Sequence, residues 1–198
     1  MPARPAGTHR ESMLRVEIRE IGAGNWRALR HIRLAALRDA PQAFASTYER
    51  EAAFTEADWL RWISRGDTFL AYAPELGAAP VGVVSGYEGE PGTIELISMW
   101  ISPQARGRGI GRALVEAVLG QARAKSMTRV HLWVAESNRN ARLLYERCGF
   151  RPTGERQPLP SNPQLPEIAM ARSLDRLASA GVAMWPLHPA PAREGAGA

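Results

Sequence analysis

Residues 94–112 constrain this chain more than any other stretch. An apolar run, Ile94-Glu95-Leu96-Ile97-Ser98-Met99-Trp100-Ile101, reads as a strand and meets a turn at Pro103. Behind it come Arg106-Gly107-Arg108-Gly109-Ile110-Gly111-Arg112, then the helical pattern Ala113-Leu114-Val115-Glu116-Ala117-Val118-Leu119. A strand feeding a glycine-rich loop and a helix start is a phosphate-binding arrangement. Glycine lets the backbone approach an anion, and the unpaired N–H groups and positive dipole end of the helix face it. Arg106, Arg108 and Arg112 add positive charge. A Walker loop is excluded, because its Gly-Lys-Ser/Thr ending is missing. The dinucleotide fingerprint Gly-x-Gly-x-x-Gly is excluded too, because Gly107, Gly109 and Gly111 alternate. What fits is Arg-x-x-Gly-x-Gly, on Arg106, Gly109 and Gly111.

A second motif comes later in the chain. Residues 130–135 read as a strand, and after them come Asn138, Ala141, Leu144 and Tyr145 in the spacing Asn-x-x-Ala-x-x-Leu-Tyr, then Gly149-Phe150. The two motifs, in this order, resemble those of bacterial members of the GNAT superfamily of N-acetyltransferases. The run from position 33 to position 48 also resembles a segment of many bacterial members, without naming an acceptor. The resemblance covers about residues 14–173. It implies an α/β (α+β) acyl-CoA N-acyltransferase (GNAT) fold. Such a fold has a mixed central sheet of about six to seven strands, flanked by about four helices. Its fourth and fifth strands splay apart, and the pantetheine arm of coenzyme A lies in the notch.

The local patterns agree with that layout. Leu14, Val16 and Ile18 alternate as a first strand. Asn25 is placed to cap a helix through Trp26, Leu29, Ile32 and Leu37 that stops at Pro41. Thr55 is placed to cap a second helix holding Trp59, Leu60 and Ile63, ended by Gly66. Strands are expected at about 68–74, 81–88 and 92–101, with a hairpin turn at 89–92. Helix, strand, helix and strand then fill about 109–154, and a last strand runs from 167 to 172. The domain is expected to span 13–174. Residues 1–12 and the Ala-, Pro- and Gly-rich tail 175–198 are expected to be mostly disordered.

Composition narrows the function classes. Hydrophobic residues make up 45% of the 198, enough for one core. No apolar run is long enough to span a membrane, and the N-terminus lacks the apolar stretch of a secretory signal. The single cysteine, Cys148, excludes an internal disulfide and reads as a small packed side chain. Together these point to the cytoplasm. The net charge of +5 raises nucleic acid as a partner, but the basic residues are scattered and interleaved with acidic ones. Coenzyme A already supplies an anionic partner. His9, His31, His131 and His188 show no ligand spacing, so no metal is expected.

The resemblance assigns roles. The loop Gly107, Arg108, Gly109, Ile110, Gly111 and Arg112, led by Arg106, would bind the pyrophosphate of acetyl-CoA. The backbone of Met99, Trp100 and Ile101 would pair with the pantetheine arm and supply an oxyanion donor. Asn138 would contact that arm, or cap the following helix, or both. Tyr145 would lie against the cofactor and give a proton to the departing thiolate. The thiol should titrate near the cysteine value of about 8.5, within reach of a phenol. An alkylammonium, with a pKa of about 10, needs a base before it can attack. Glu95 is the only acid within its strand and is the first choice. Glu136 is the second. Ribosomal-protein N-terminal acetyltransferases carry a glutamate five residues before the asparagine, where this chain has Trp133, so that branch is disfavoured. His31, Phe44, Tyr48, Trp59 and Tyr87 are candidate acceptor contacts, or plain core.

The function implied is N-acetyl transfer from acetyl-CoA to a primary amine, first of a small molecule, by direct transfer in a ternary complex. The alternatives are acetylation of a protein lysine or N-terminus, and a non-catalytic acyl-CoA-binding regulatory module. Neither nucleic acid nor membrane is expected as a partner. A homodimer stays open, since many relatives dimerise.

Overall fold

A computed structural model describes residues 15–174. The expected disordered segments 1–12 and 175–198 lie outside the described residues, as does Leu14. Seven strands form one sheet in the order β1-β2-β3-β4-β5-β7-β6. They are β1 (Glu17–Glu20), β2 (Gly66–Tyr72), β3 (Gly82–Glu88), β4 (Thr93–Ile101), β5 (Arg129–Ala135), β6 (Arg151–Leu159) and β7 (Asn162–Ser173). Five helices accompany them: α1 (Trp26–Asp39), α2 (Tyr48–Ala52), α3 (Glu56–Ser64), α4 (Ile110–Ala124) and α5 (Arg139–Arg147). The short α2 is additional to the expected set. It starts where the Thr47 side chain accepts the Arg50 N–H, a cap that needs no long apolar pattern behind it.

Local chemistry sets most boundaries. Thr55 and Asp58 form a reciprocal capping box that opens α3, as the Thr55 signal predicted. Asn25 stands at the N-cap of α1 but does not cap it. A short 3₁₀ turn precedes the helix, and the Asn25 side chain accepts the Gly22 N–H instead. β7 begins five residues earlier than expected, because pairing with β6 holds in place a segment whose own prolines carry no strand signal.

The sheet has an apolar layer on each face. On one, α4 and α5 cover Ile94, Leu96, Val130, Leu132, Phe150 and Met170. On the other, α1, α2 and α3 enclose Leu29, Ile32, Trp59, Leu70, Val83 and Trp100. All sheet neighbours are antiparallel except β4 and β5, which run parallel. That parallel pair is short. It links Thr93 with Arg129, Ile94 with Val130, and Glu95 with His131, and then ends. Beyond Glu95 the two strands diverge, which leaves one edge of β4 open. This is the expected splay.

Candidate active site

The open edge of β4 carries a bulge. Ser85 pairs with Ile97 and Val83 with Trp100, so Ser98 and Met99 together face Val84. Ser98 takes the left-handed conformation, φ +60°, rare for a residue with a side chain. The bulge re-aims the backbone of residues 98–101 into the notch. No alternation in the sequence signals it.

Beneath the notch lies a cleft of about 1000 Å³. It is lined by Met99, Trp100, Ile101, Arg106, Gly107, Gly109, Ile110, Gly111, Arg112, Asn138 and Tyr145. Every expected cofactor residue therefore meets there except Arg108, which is exposed and does not line it. Arg139 and Arg147 of α5 also line it, so its charge is strongly positive. Its one carboxylate, Asp39, is already engaged. Asp39 accepts from the Trp100 indole at 2.9 Å and from the Arg106 guanidinium. Burial alone would raise the Asp39 pKa, but these two donors outweigh it and hold it below the usual range.

Several side chains thus serve the frame. The Trp100 side chain packs in the core and donates to Asp39. Arg106 is shared between Asp39 and the Ile101 carbonyl, at 3.0 Å from the latter, and so fastens the loop to β4. Gly109 is the N-cap of α4 with φ +79°, and no side chain caps that helix. A Cβ built at Gly107 or Gly109 meets nothing within 4 Å. The space over the helix start is open, its N–H groups point into it, and arginines surround it. The residues fit a bound pyrophosphate. The unpaired edge of β4 likewise fits an extended arm with amide groups.

Asn138 caps α5, its Oδ1 accepting the Ala141 N–H at 3.2 Å, and it also lines the cleft. Tyr145 is buried, and its hydroxyl has no hydrogen-bond partner among the described residues. Burial pushes its phenol well above the usual value, so it stays an O–H donor. Cys148 is buried with its thiol pushed up, first by burial, as fits a packed side chain.

A second cleft, of about 780 Å³, opens on the side of α2 and α3. It shares Phe44, Leu96, Ile97, Ser98 and Trp133 with the first, so the two meet at the bulge. Glu95 lines this second cleft, and its Oε1 lies 2.7 Å from His131 Nδ1. Glu136, the second candidate base, is instead bonded to Arg156 at 2.7 Å. Of the candidate acceptor contacts, Phe44 and Tyr87 line the cleft. Trp59 is fully buried core, Tyr48 bonds Arg38, and His31 is exposed.

Sequence reading missed three features of this cleft. His131 backs Glu95 from 36 positions away. Arg33 and Glu51 form a buried bidentate ion pair at 2.8 and 2.9 Å. Glu167 enters from β7 and accepts from Gln157 at 2.7 Å. Each depends on strand register or helix packing, and no local spacing announces it.

The model of the acetyltransferase (GNAT) family matches residues 26–150. The chain belongs to the GNAT acetyltransferase family. A mycothiol acetyltransferase of Beutenbergia cavernae is 33% identical over 127 residues, covering 50% of this chain and 43% of that protein. A mycothiol acetyltransferase of Geodermatophilus obscurus is 37% identical over 123 residues, covering 59% and 40%. The chain thus spans about two fifths of the length of these relatives. The fold is shared with the PaiA N-acetyltransferase of Thermoplasma acidophilum in complex with coenzyme A. That structure has a TM-score of 0.64 at 14% identity, covering 81% of this chain and 100% of the other.

Proposed function

We propose that the chain moves an acetyl group from acetyl-CoA to a primary amine of a small molecule, by direct transfer in a ternary complex. The observation that carries this reading is the meeting of two clefts at the β4 bulge. One has the glycine loop and its arginines, and Glu95 and Glu167 line the other. The volume of the second lies within the range of small-molecule sites, about 300–1,000 Å³.

Bound acetyl-CoA supplies an activated acetyl thioester. The backbone at 107–112, with Arg112 and Arg139, would hold its phosphates, and the open edge of β4 and Asn138 its arm. Glu95 accepts the proton of the amine at its carboxylate, which the bond to His131 keeps in one orientation. A backbone N–H at Met99, Trp100 or Ile101 faces the carbonyl oxygen, and one well-aimed donor of this sort is worth about 10²–10³ in rate. Tyr145 holds its hydroxyl proton toward the departing sulfur. Its raised pKa makes it a hydrogen-bond donor to sulfur more than a freely exchanging acid.

Thiol release from acetyl-CoA tests this reading, across aminoglycosides, polyamines, amino acids, and lysine or N-terminal peptides. Turnover with a small amine is the expected result. Turnover confined to peptides would move the acceptor to protein. Acetyl-CoA binding by calorimetry without release from any acceptor would favour a binding module, and no binding would remove the assignment of the loop.

A further inference from the structure

We propose that Glu167 is the acceptor-binding carboxylate of the second cleft, and that it takes the charge of a single primary ammonium carried on an apolar body. The proposal rests on the acetyl-transfer reading for the chemistry after binding, though not for binding itself.

Glu167 is only 5% exposed, yet it lines the second cleft. Its one protein partner is neutral: Gln157 Nε2 donates to Oε1. Among the described residues no arginine, lysine or histidine pairs with it. Among the described residues its other oxygen accepts no hydrogen bond, and it is not sealed off. Burial raises its pKa, and the Gln157 N–H offsets this in part. A carboxylate withdrawn from water without a counter-ion costs stability and is seldom kept. One kept at the wall of a cleft is suited to a cation that arrives from outside.

The strand register separates this group from Glu95. Glu167 lies opposite Ala135 on β5, and Gln157 on β6 lies opposite Glu167. Glu95 lies opposite His131, four residues earlier on β5, or about 13 Å along the strand. The bulge is three to four residues beyond Glu95, and so level with Ala135 and Glu167. Glu167 therefore stands at the height where the clefts join, and Glu95 stands deeper along the sheet. Glu167 is thus placed to hold the incoming ammonium where the clefts join, a position Glu95 does not share.

The rest of the cleft restricts the acceptor. Phe44, Phe54 and Trp62 offer apolar walls. Arg61 is paired with Asp58 at 3.0 Å, but Arg50 of α2 and Arg65 at the end of α3 also line the cleft, are exposed and form no ion pair among the described residues, so a second positive charge meets repulsion there. Arg33 is neutralised by Glu51. One ammonium on an apolar or aromatic body matches this pattern, and a polyamine does not.

Calorimetry on the full chain tests the assignment, with phenethylammonium chloride and 2-phenylethanol as probes. The wild type should bind the ammonium at least tenfold more tightly than the alcohol. Glu167→Gln should weaken the ammonium at least tenfold and leave the alcohol unchanged. Equal affinity of the ammonium for both proteins overturns the proposal, as does an ammonium that the wild type binds no better than the alcohol or not at all. A measurement on the wild type alone guards against a variant that fails to fold. The side-chain amide signal of Gln157 in the NMR spectrum should move on adding the ammonium and not the alcohol; an unmoved signal overturns the proposal equally. Thiol release is scored apart. Glu167-dependent binding without release would remove the transfer reading and keep this assignment. Release that Glu167→Gln leaves untouched would do the reverse.

Discussion

Tyr145 and Glu167 are both withdrawn from water, with opposite consequences. A buried phenol is neutral and simply keeps its proton, so Tyr145 is stable where it stands. Tyr145→Phe should therefore leave the melting temperature and acetyl-CoA affinity near wild type while lowering turnover about tenfold or more. Unchanged turnover in a thiol-release assay would remove Tyr145 from the chemistry. A buried carboxyl is neutral only when protonated. Between the ordinary value of 4.5 and the raised folded value, the folded state holds a proton that the unfolded chain releases. Stability then falls as pH rises through that window. Glu167→Gln, uncharged throughout, should melt at a higher temperature than wild type at pH 7. The gap should narrow as pH falls through that window and be largely closed below 4.5. Thermal melts at both pH values check this, and a wild type more stable than the variant at pH 7 contradicts it.

At the scale of the element, the start of α4 shows two glycines with different duties. Gly109 holds φ +79° over open space. A Cβ at Gly111 would lie 2.9 Å from Leu144 Cδ2 and 3.0 Å from Ile101 Cδ1, in the joint between α4, α5 and β4. Gly109→Val should cost about 1–2 kcal/mol through left-handed strain, keep the fold, and abolish acetyl-CoA binding, because the new side chain fills the phosphate space. Gly111→Ala should cost about 1–3 kcal/mol through overpacking. Calorimetry paired with urea melts separates the two. Normal acetyl-CoA binding by the Gly109 variant would refute the loop assignment.

For the whole molecule, the decisive feature is that the two clefts join at the bulge, while Cys148 lines only the first of them. Cys148 lines the cofactor cleft but is buried, and its raised pKa keeps it a thiol. Initial-rate lines should therefore intersect, as a ternary complex requires, and Cys148→Ala should keep at least half of the turnover. Parallel lines with loss of activity in that variant would point to an acetyl-cysteine route. Acetyl-CoA at about a hundred times its Kd should stabilise the folded chain by about 2.7 kcal/mol, read as a higher melting temperature. The Gly109 variant should show no such shift.

Local sequence signals were enough to place most of the elements and the residues that line the first cleft. Apolar periodicity placed α1, α3 and α4, the Arg106 to Gly111 pattern marked the glycine loop that lines the first cleft, and the motif from Asn138 to Tyr145 placed α5. These signals are local, since a helix start or a glycine turn is encoded within a few residues of itself. The acceptor side was decided only by tertiary structure. Glu95 meets His131 through a parallel register, Glu167 reaches the second cleft through β7, and Arg33 finds Glu51 when α2 packs on α1. The bulge at Ser98 is likewise a property of a strand in a sheet, because it exists only relative to the partner it is out of step with. Trp100 and Arg106 line the first cleft, yet only packing revealed that their side chains bond Asp39. Contacts between residues far apart in the chain depend on geometry that no short pattern records.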